Sequence, residues 1–294
     1  MLRNPVAIIA ASLQVGKVVA MPQPPRERTP RARANQRTRQ RRRTPKSRAT
    51  LTRESVLDTT IALLDKQGED KLTVRGLAAE LGSGAASIYW YAENKEQLLN
   101  IATGEIISRA VAEHRTRIEG SSESAVELAS GKKIPPFQPH KATSKTTAEA
   151  LNEARDLVLC LFKQMELHPW LPMRLMRSDP DMDGSLEFWE LLGRPLQRTS
   201  LTVEQQFTAT MTLMNYAGGT GAEMAFRAQM LDSGEVQELQ AMGEQVERWK
   251  ALSQENFPFV RSIVDTFLHH EDSAQYIGGL DLLLRGLEFE ASAE

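Results

Sequence analysis

Few residues of this 294-residue chain are typed and spaced for chemistry. The sharpest case is DPDMDGSLEFWE, where Asp179, Asp181, Asp183, Gly184 and Glu190 fall at positions 1, 3, 5, 6 and 12 of a calcium loop, with oxygen ligands set around a glycine turn. Pro180 stiffens the start of that loop and no second copy accompanies it. An acidic turn opening the helix that carries Phe188 and Trp189 explains the same residues, so no metal is expected. His114, His140, His168, His269 and His270 show no H-x-x-x-H spacing, and Cys160 lies in an apolar run, LVLCLF, where a thiol is a small buried hydrophobe. A glycine-rich phosphate loop, a nucleophile elbow and a catalytic dyad are all missing from the pattern. Neither catalysis nor a cofactor is expected.

The chemistry that remains is charge. A formal net charge of −2 conceals a division: residues 1–50 hold 13 Lys/Arg against one acid, Glu27. The densest part is Arg37, Arg39, Arg41, Arg42, Arg43, Lys46 and Arg48, in a segment rich in Pro, Thr and Gln with almost nothing to bury. Such a tail is expected to be disordered when free and to bind phosphates by displacing counterions; a tail serving only solubility is the plainer alternative. The opening PVAIIAASLQVGKVVA is too short and interrupted for an export signal, and Met21 is an equally plain start. No uncharged apolar run reaches membrane-spanning length, so a cytoplasmic, nucleoid-associated protein with no membrane partner is expected.

Beside the basic tail lies TVRGLAAELGSGAASIYWYAENKEQ, residues 73–97. Val74, Leu77, Ala78 and Leu81 recur at helical spacing, Gly82 and Gly84 break the pattern, Ala85–Tyr91 restart a short helix, and Asn94 with Gln97 forms a capping box for a third. Helix, glycine turn, helix is the arrangement whose second helix enters the DNA major groove; an ordinary corner between two helices has the same spacing. Leu57, Ile61 and Leu64 make a preceding helix, capped at Thr52 and ended at Gly68, that braces the pair. The predicted organisation is a tail at 1–50, a three-helix DNA-binding domain at 51–97, a connecting helix at 98–119, a flexible linker at 120–147 and a helical body at 148–294. The fold class is all-α, with no credible strand in the body. In the body, Leu151, Ala154, Leu157, Val158, Leu161 and Phe162 share one helix face, Thr202 and Gln205 open a long helix to about Met230, and Asp272 caps a last helix striped with Tyr276, Leu280, Leu284 and Leu287. Ala217–Ala222 is glycine-rich inside the long helix, which calls for a close approach by a partner helix or a ligand.

LTRESVLDTTIALLDKQG, LTVRGLAAELG and SIYWYAENKEQLL, in that order, resemble the TetR family of bacterial transcriptional regulators over residues 51–107. The C-terminal part resembles the tetracycline-repressor-type ligand domain more weakly, through FPFVRSIVDTFLHH and GGLDLLLRGLE. The resemblance implies a homodimer on double-stranded operator DNA, a dimer interface built from the last helix and the long helix, and a small-molecule effector held within each subunit. Carried over, Thr73 and Arg75 open the first motif helix at the DNA, Ser87 and Tyr91 lie on the recognition helix, Tyr89 and Lys95 meet the backbone, and Arg48 belongs to the adjoining arm. Trp90 is expected in the motif's core. Val74 and Ala85 stand where tetracycline repressors have polar base-contacting side chains, and Ala86 offers no donor, so base readout is thin. The body lacks the histidines that hold a magnesium-bound drug, which argues against tetracycline.

Candidate effector-contacting residues are Met173, Phe188, Trp189, Met211, Met214 and Tyr216, although stripes of this kind also make plain core. The expected function is a dimeric DNA-binding repressor released by a small hydrophobic effector. The alternative is an architectural DNA-binding protein whose body only dimerises.

Overall fold

The computed structural model describes residues 51–120, 125–177, 184–232 and 236–292; Arg48 and the rest of the basic tail, and Asp179, Asp181 and Asp183, lie outside them. Side-chain caps begin the helices where the sequence supplies them. Helix α1 (Arg53–Gln67) starts at Thr52, whose hydroxyl accepts from the Ser55 N–H while the Ser55 hydroxyl accepts from the Thr52 N–H, each at 3.0 Å. Thr73 caps α2 (Val74–Glu80) by accepting from the Gly76 N–H at 3.0 Å. A turn through Gly82 leads to α3 (Ala85–Ile88), and α4 (Lys95–Gly120) follows. At the start of α4, Asn94 Oδ1 accepts from the Gln97 N–H at 2.8 Å and Gln97 Oε1 reaches back to the Glu93 N–H at 2.5 Å. With 26 residues, α4 runs about 39 Å at 1.5 Å per residue.

The segment expected to be a flexible linker carries structure. Strands β1 (Val126–Glu127) and β2 (Lys133–Ile134) pair antiparallel, Val126 opposite Ile134, and Val126, Leu128, Ile134 and Phe137 are buried in the main core. Periodicity missed it because two-residue strands are too short to alternate. The segment is also pinned from outside. Glu288 accepts from the His140 N–H at 2.5 Å and from the Thr143 hydroxyl, Arg155 donates to the Pro135 carbonyl at 2.8 Å, and the Arg285 guanidinium lies 4.4 Å from the centre of the Phe137 ring.

The body is built on α5 (Lys145–Leu167), which is buried around its whole circumference: every residue from Ala154 to Phe162 is buried. The expected single apolar face becomes a central helix, and the polar side chains it takes inside are paired. Asp156 accepts from Arg117 Nε at 2.8 Å and lies 2.9 Å from His114 Nδ1, while Arg155 forks onto Asp281 at 2.7 and 3.3 Å. Around α5 pack α6 (Leu171–Leu175), α7 (Ser185–Gly193) with a 3₁₀ turn (Arg194–Arg198), α8 (Val203–Asp232) and α11 (Asp272–Glu290). Helices α9 (Val236–Lys250) and α10 (Pro258–His269) pair with each other, Trp249 against Phe267 with ring centres 5.1 Å apart. Asp272 is the first residue of α11 rather than its cap, and accepts from Arg227 at 3.0 Å.

Two glycines find their reason in packing. Gly184 has φ 81° and opens α7 with its Cα against α4: a Cβ there would lie 2.9 Å from the Ser108 hydroxyl and 3.0 Å from the Gly104 carbonyl. Helix packing therefore accounts for the glycine that the calcium pattern would also require. In the glycine-rich run of α8, a Cβ on Gly221 would stand 2.6 Å from the Met165 sulfur, so that part of the run serves the close approach of α8 to α5.

Candidate nucleic-acid interface

The small core of the N-terminal module is Val56, Leu77, Ala78, Ile88, Ala92 and Leu98. Helix α3 is anchored in it by Ile88, which is fully buried, and after Ile88 the backbone tightens, with both the Tyr91 and Ala92 N–H groups donating to the Ile88 carbonyl at 2.8 and 3.1 Å. This tightening decides the three aromatics. Tyr89 and Trp90 are carried outward, 53% and 89% exposed, and Ala92 takes the next core position. The expectation that Trp90 belongs to the core is thus corrected: a turn one residue tighter than a helix points it at solvent, and a site filled by an alanine has no room for an indole.

Tyr91 turns the other way. It packs half-buried against the small core and its hydroxyl donates to the Leu51 carbonyl at 2.7 Å, tying the start of α1 to the motif. Its one hydrogen-bond donor is spent inside the module. Thr73 and Arg75 are exposed, Ser87 and Lys95 are half-buried, and Ala86 is exposed while offering no polar atom. Thr73 uses an oxygen lone pair on the Gly76 N–H and keeps its hydroxyl proton to donate. Neither Arg75 nor Lys95 has an ion-pair partner among the described residues, so both cations are available to an external anion. Lys95 sits at the first residue of α4, where the N–H groups of the helix's first turn also favour negative charge. The residues at the surface are thus two cations, hydroxyls and two aromatic faces, a set that suits phosphates and sugars better than base edges.

The module is fastened to the body by polar contacts that sequence reasoning missed. Asp65, near the end of α1, lies 2.8 Å from His168 Nδ1 and accepts from Trp170 Nε1 at 2.7 Å. Arg174 on α6, 3% exposed, donates to Glu96 at 2.5 Å and Asn100 at 2.7 Å on α4, and faces Glu69 at 3.7 Å. Their signal in the sequence was slight: a His-Pro-Trp corner followed by one basic residue in an apolar turn.

The six effector candidates divide between elements. Phe188 on α7 is buried in the main core, Met214 and Tyr216 on α8 pack against that core, and Met173, Trp189 and Met211 are half-buried. Tyr216 faces α11, donating to the Tyr276 carbonyl at 2.7 Å. Cys160 is buried, and that burial, with Asp156 beside it, pushes its thiol far above the ordinary range, as suits a core thiol.

Residues 56–101 match the family model for bacterial regulatory proteins of the tetR family. A stretch of 61 residues is 44% identical to the class D tetracycline repressor of Escherichia coli, covering 21% of this chain and 28% of that protein. A match of 26% identity over 246 residues, 81% of this chain and 78% of the relative, joins it to the HTH-type transcriptional repressor DrrR1 of Streptomyces coeruleorubidus. Residues 56–101 thus carry a TetR-type N-terminal module. The fold of the chain is similar to that of the TetR regulator SCO7222 of Streptomyces coelicolor, with a TM-score of 0.60 at 27% identity over 82% of this chain and 99% of that one. The Streptomyces coelicolor TetR family protein ActR, solved in complex with actinorhodin, has a TM-score of 0.61 at 19% identity over 84% of this chain and 100% of its own. The chain spans 28% of the length of the class D and class H tetracycline repressors it matches.

Proposed function

We propose that this chain is a homodimeric repressor that binds operator DNA through residues 51–97 and is released by a small hydrophobic effector held in its helical body. The observation that carries the reading is the exposure of Tyr89 and Trp90 just after α3, with Arg75 exposed on α2 and Lys95 half-buried at the start of α4, on a module fastened to the body through Asp65 and Arg174. Phosphate contact falls to Arg75, Tyr89, Lys95 and the basic tail including Arg48, with Thr73, Ser87 and Trp90 reaching the groove edge. Tyr91 braces the module.

Dimerisation is supported by large apolar side chains left at the surface of two helices. Val203 and Phe207 on α8 are 81% and 61% exposed, and Leu282 and Phe289 on α11 are 74% and 73% exposed, at spacings that put each pair on one helix face. Two such helices from each copy would make a four-helix interface and set two α3 helices for successive major grooves. Release then follows if the effector prefers the dimer in which those helices are misplaced. The structural neighbour ActR was solved in complex with an organic molecule, actinorhodin, which supports an effector for this fold.

The test is a titration of DNA from upstream of the gene against random DNA at several salt concentrations, for the full chain and for a chain beginning at Thr50. Preference for the upstream DNA in both, with a flatter salt dependence in the shorter chain, is the expected result. Equal binding to random DNA would sink operator reading and leave an architectural role. A panel of apolar compounds that neither raises Tm nor frees the DNA would sink the effector.

A further inference from the structure

Among the described residues, Tyr276 stands apart chemically. It lies on α11 where that helix meets α5 and α8, is completely buried, and its hydroxyl has no hydrogen-bond partner there. Almost every other buried polar side chain of the body is paired: Asp156 with Arg117 and His114, Arg155 with Asp281, Glu288 with His140 and Thr143. The nearest phenol does not satisfy it: Tyr216 directs its own hydroxyl to the Tyr276 backbone carbonyl at 2.7 Å, and the Tyr276 hydroxyl is left without a partner. Tyr216 reaches that carbonyl only because residue 279 is glycine, since a Cβ there would lie 2.2 Å from the hydroxyl. The surroundings of Tyr276 are aromatic. Phe162 of α5 stacks on it with ring centres 3.9 Å apart at 17°, and Tyr216 tilts against it at 5.4 Å and 46°.

A buried O–H with nothing to donate to is a standing cost that a leucine or phenylalanine in the same stripe would avoid. We propose that Tyr276 is the donor that reads the effector, and that the effector is a flat aromatic compound carrying a hydrogen-bond acceptor such as a ring carbonyl. This rests on the effector-controlled reading above. Because Phe162 already stacks on Tyr276, a planar ring enters by parting the two and taking the place of one of them in an offset stack, and the phenol, protonated at neutral pH in this apolar setting, donates to the acceptor. Entry of a ring at this point parts α11 from α5. Because α8 and α11 also carry the exposed apolar faces, the same event shifts the dimer helices and, through them, the spacing of the two α3 helices.

The probes are 9-fluorenone and fluorene, two flat tricyclic compounds that differ by one carbonyl, tested on the full chain and on Tyr276→Phe by thermal shift and titration. Removing the orphan hydroxyl should raise the Tm of the free protein by about 2–4 °C. Wild type should bind fluorenone about tenfold tighter than fluorene, the worth of one well-placed hydrogen bond, and Tyr276→Phe should bind the two equally. Equal binding of the two by wild type, binding of neither, or a fluorenone preference that survives in Tyr276→Phe overturns the assignment. A lower Tm for the free variant overturns its premise, since the hydroxyl would then be satisfied. The broader effector reading is judged separately by whether any compound of the apolar panel frees DNA, so each can fail without the other.

Discussion

Arg174→Ala tests whether the body holds the DNA-binding module through a few polar contacts. Arg174 is 3% exposed and donates to Glu96 at 2.5 Å and to Asn100 at 2.7 Å, with Glu69 3.7 Å away. Two hydrogen bonds from a charged donor contribute about 1.5–3 kcal/mol each. The Glu96 side chain is 62% exposed and regains water when the arginine goes, whereas half-buried Asn100 recovers less. Roughly half of that gross value should therefore appear as the loss, about 2 kcal/mol, which lowers Tm by about 4–8 °C in a body of this size. Urea denaturation at pH 7 gives the loss, and a cycle with Glu96→Gln isolates the pair, expected at about 1 kcal/mol because one partner is solvated. DNA affinity should fall with it, since α4 and α6 lose their fixed relation. A loss below about 0.5 kcal/mol, the range of surface substitutions away from such features, with DNA binding intact, would refute the idea that this contact sets the module on the body.

Three further outcomes follow from particular side chains. Tyr91→Phe should cost about 1 kcal/mol with little change in DNA affinity, because its hydroxyl holds Leu51, whereas Trp90→Ala should leave stability unchanged and weaken DNA binding about tenfold; calorimetry and anisotropy separate the two. Burial alone would raise the Glu288 pKa, but hydrogen bonds from Thr143, the His140 N–H and Arg285 outweigh it and hold the carboxylate below its ordinary 4.5. Its contribution is thus present above the ordinary carboxylate range and is lost as pH falls through the lowered value, so the protection of amides at residues 137–144, measured relative to their intrinsic exchange rates, should fall on acidification and Glu288→Gln should flatten that dependence. Leu282→Glu places a charge on the exposed face of α11 and should give monomers in sedimentation with the fold intact by circular dichroism; an unchanged dimer would exclude that face from the interface.

Helix starts were legible because a cap is a local event. Thr52, Thr73, Asn94 and Thr202 each use a side chain on a backbone N–H within three residues, and the structure places α1, α2, α4 and α8 beside them. The same locality explains why the N-terminal module could be read over residues 51–97 and why the apolar stripes of α5 and α11 were found. Reading failed where the outcome depends on partners distant in sequence. The hairpin at 126–134 exists because Val126, Leu128 and Ile134 find the main core and because Glu288, some 150 residues on, accepts from the chain after it. Three aromatics in a row gave no hint that one would be tied inward and two turned out, since that choice depends on how tightly the backbone turns after Ile88 and on the small core it must fill.

The amino-acid order by itself therefore determined the helical class, the N-terminal helix-turn-helix module and the separation of a basic tail from an acidic body, because periodicity, caps and charge act over a few residues. Tertiary structure alone decided which polar groups are spent and which remain. Tyr91 is consumed by Leu51 and Arg174 by α4, while Tyr276, in the middle of an ordinary leucine stripe, is left buried with a hydroxyl and nothing to give it to. Hydrogen bonds saturate, so whether a side chain is free to act is known only when all of its neighbours are.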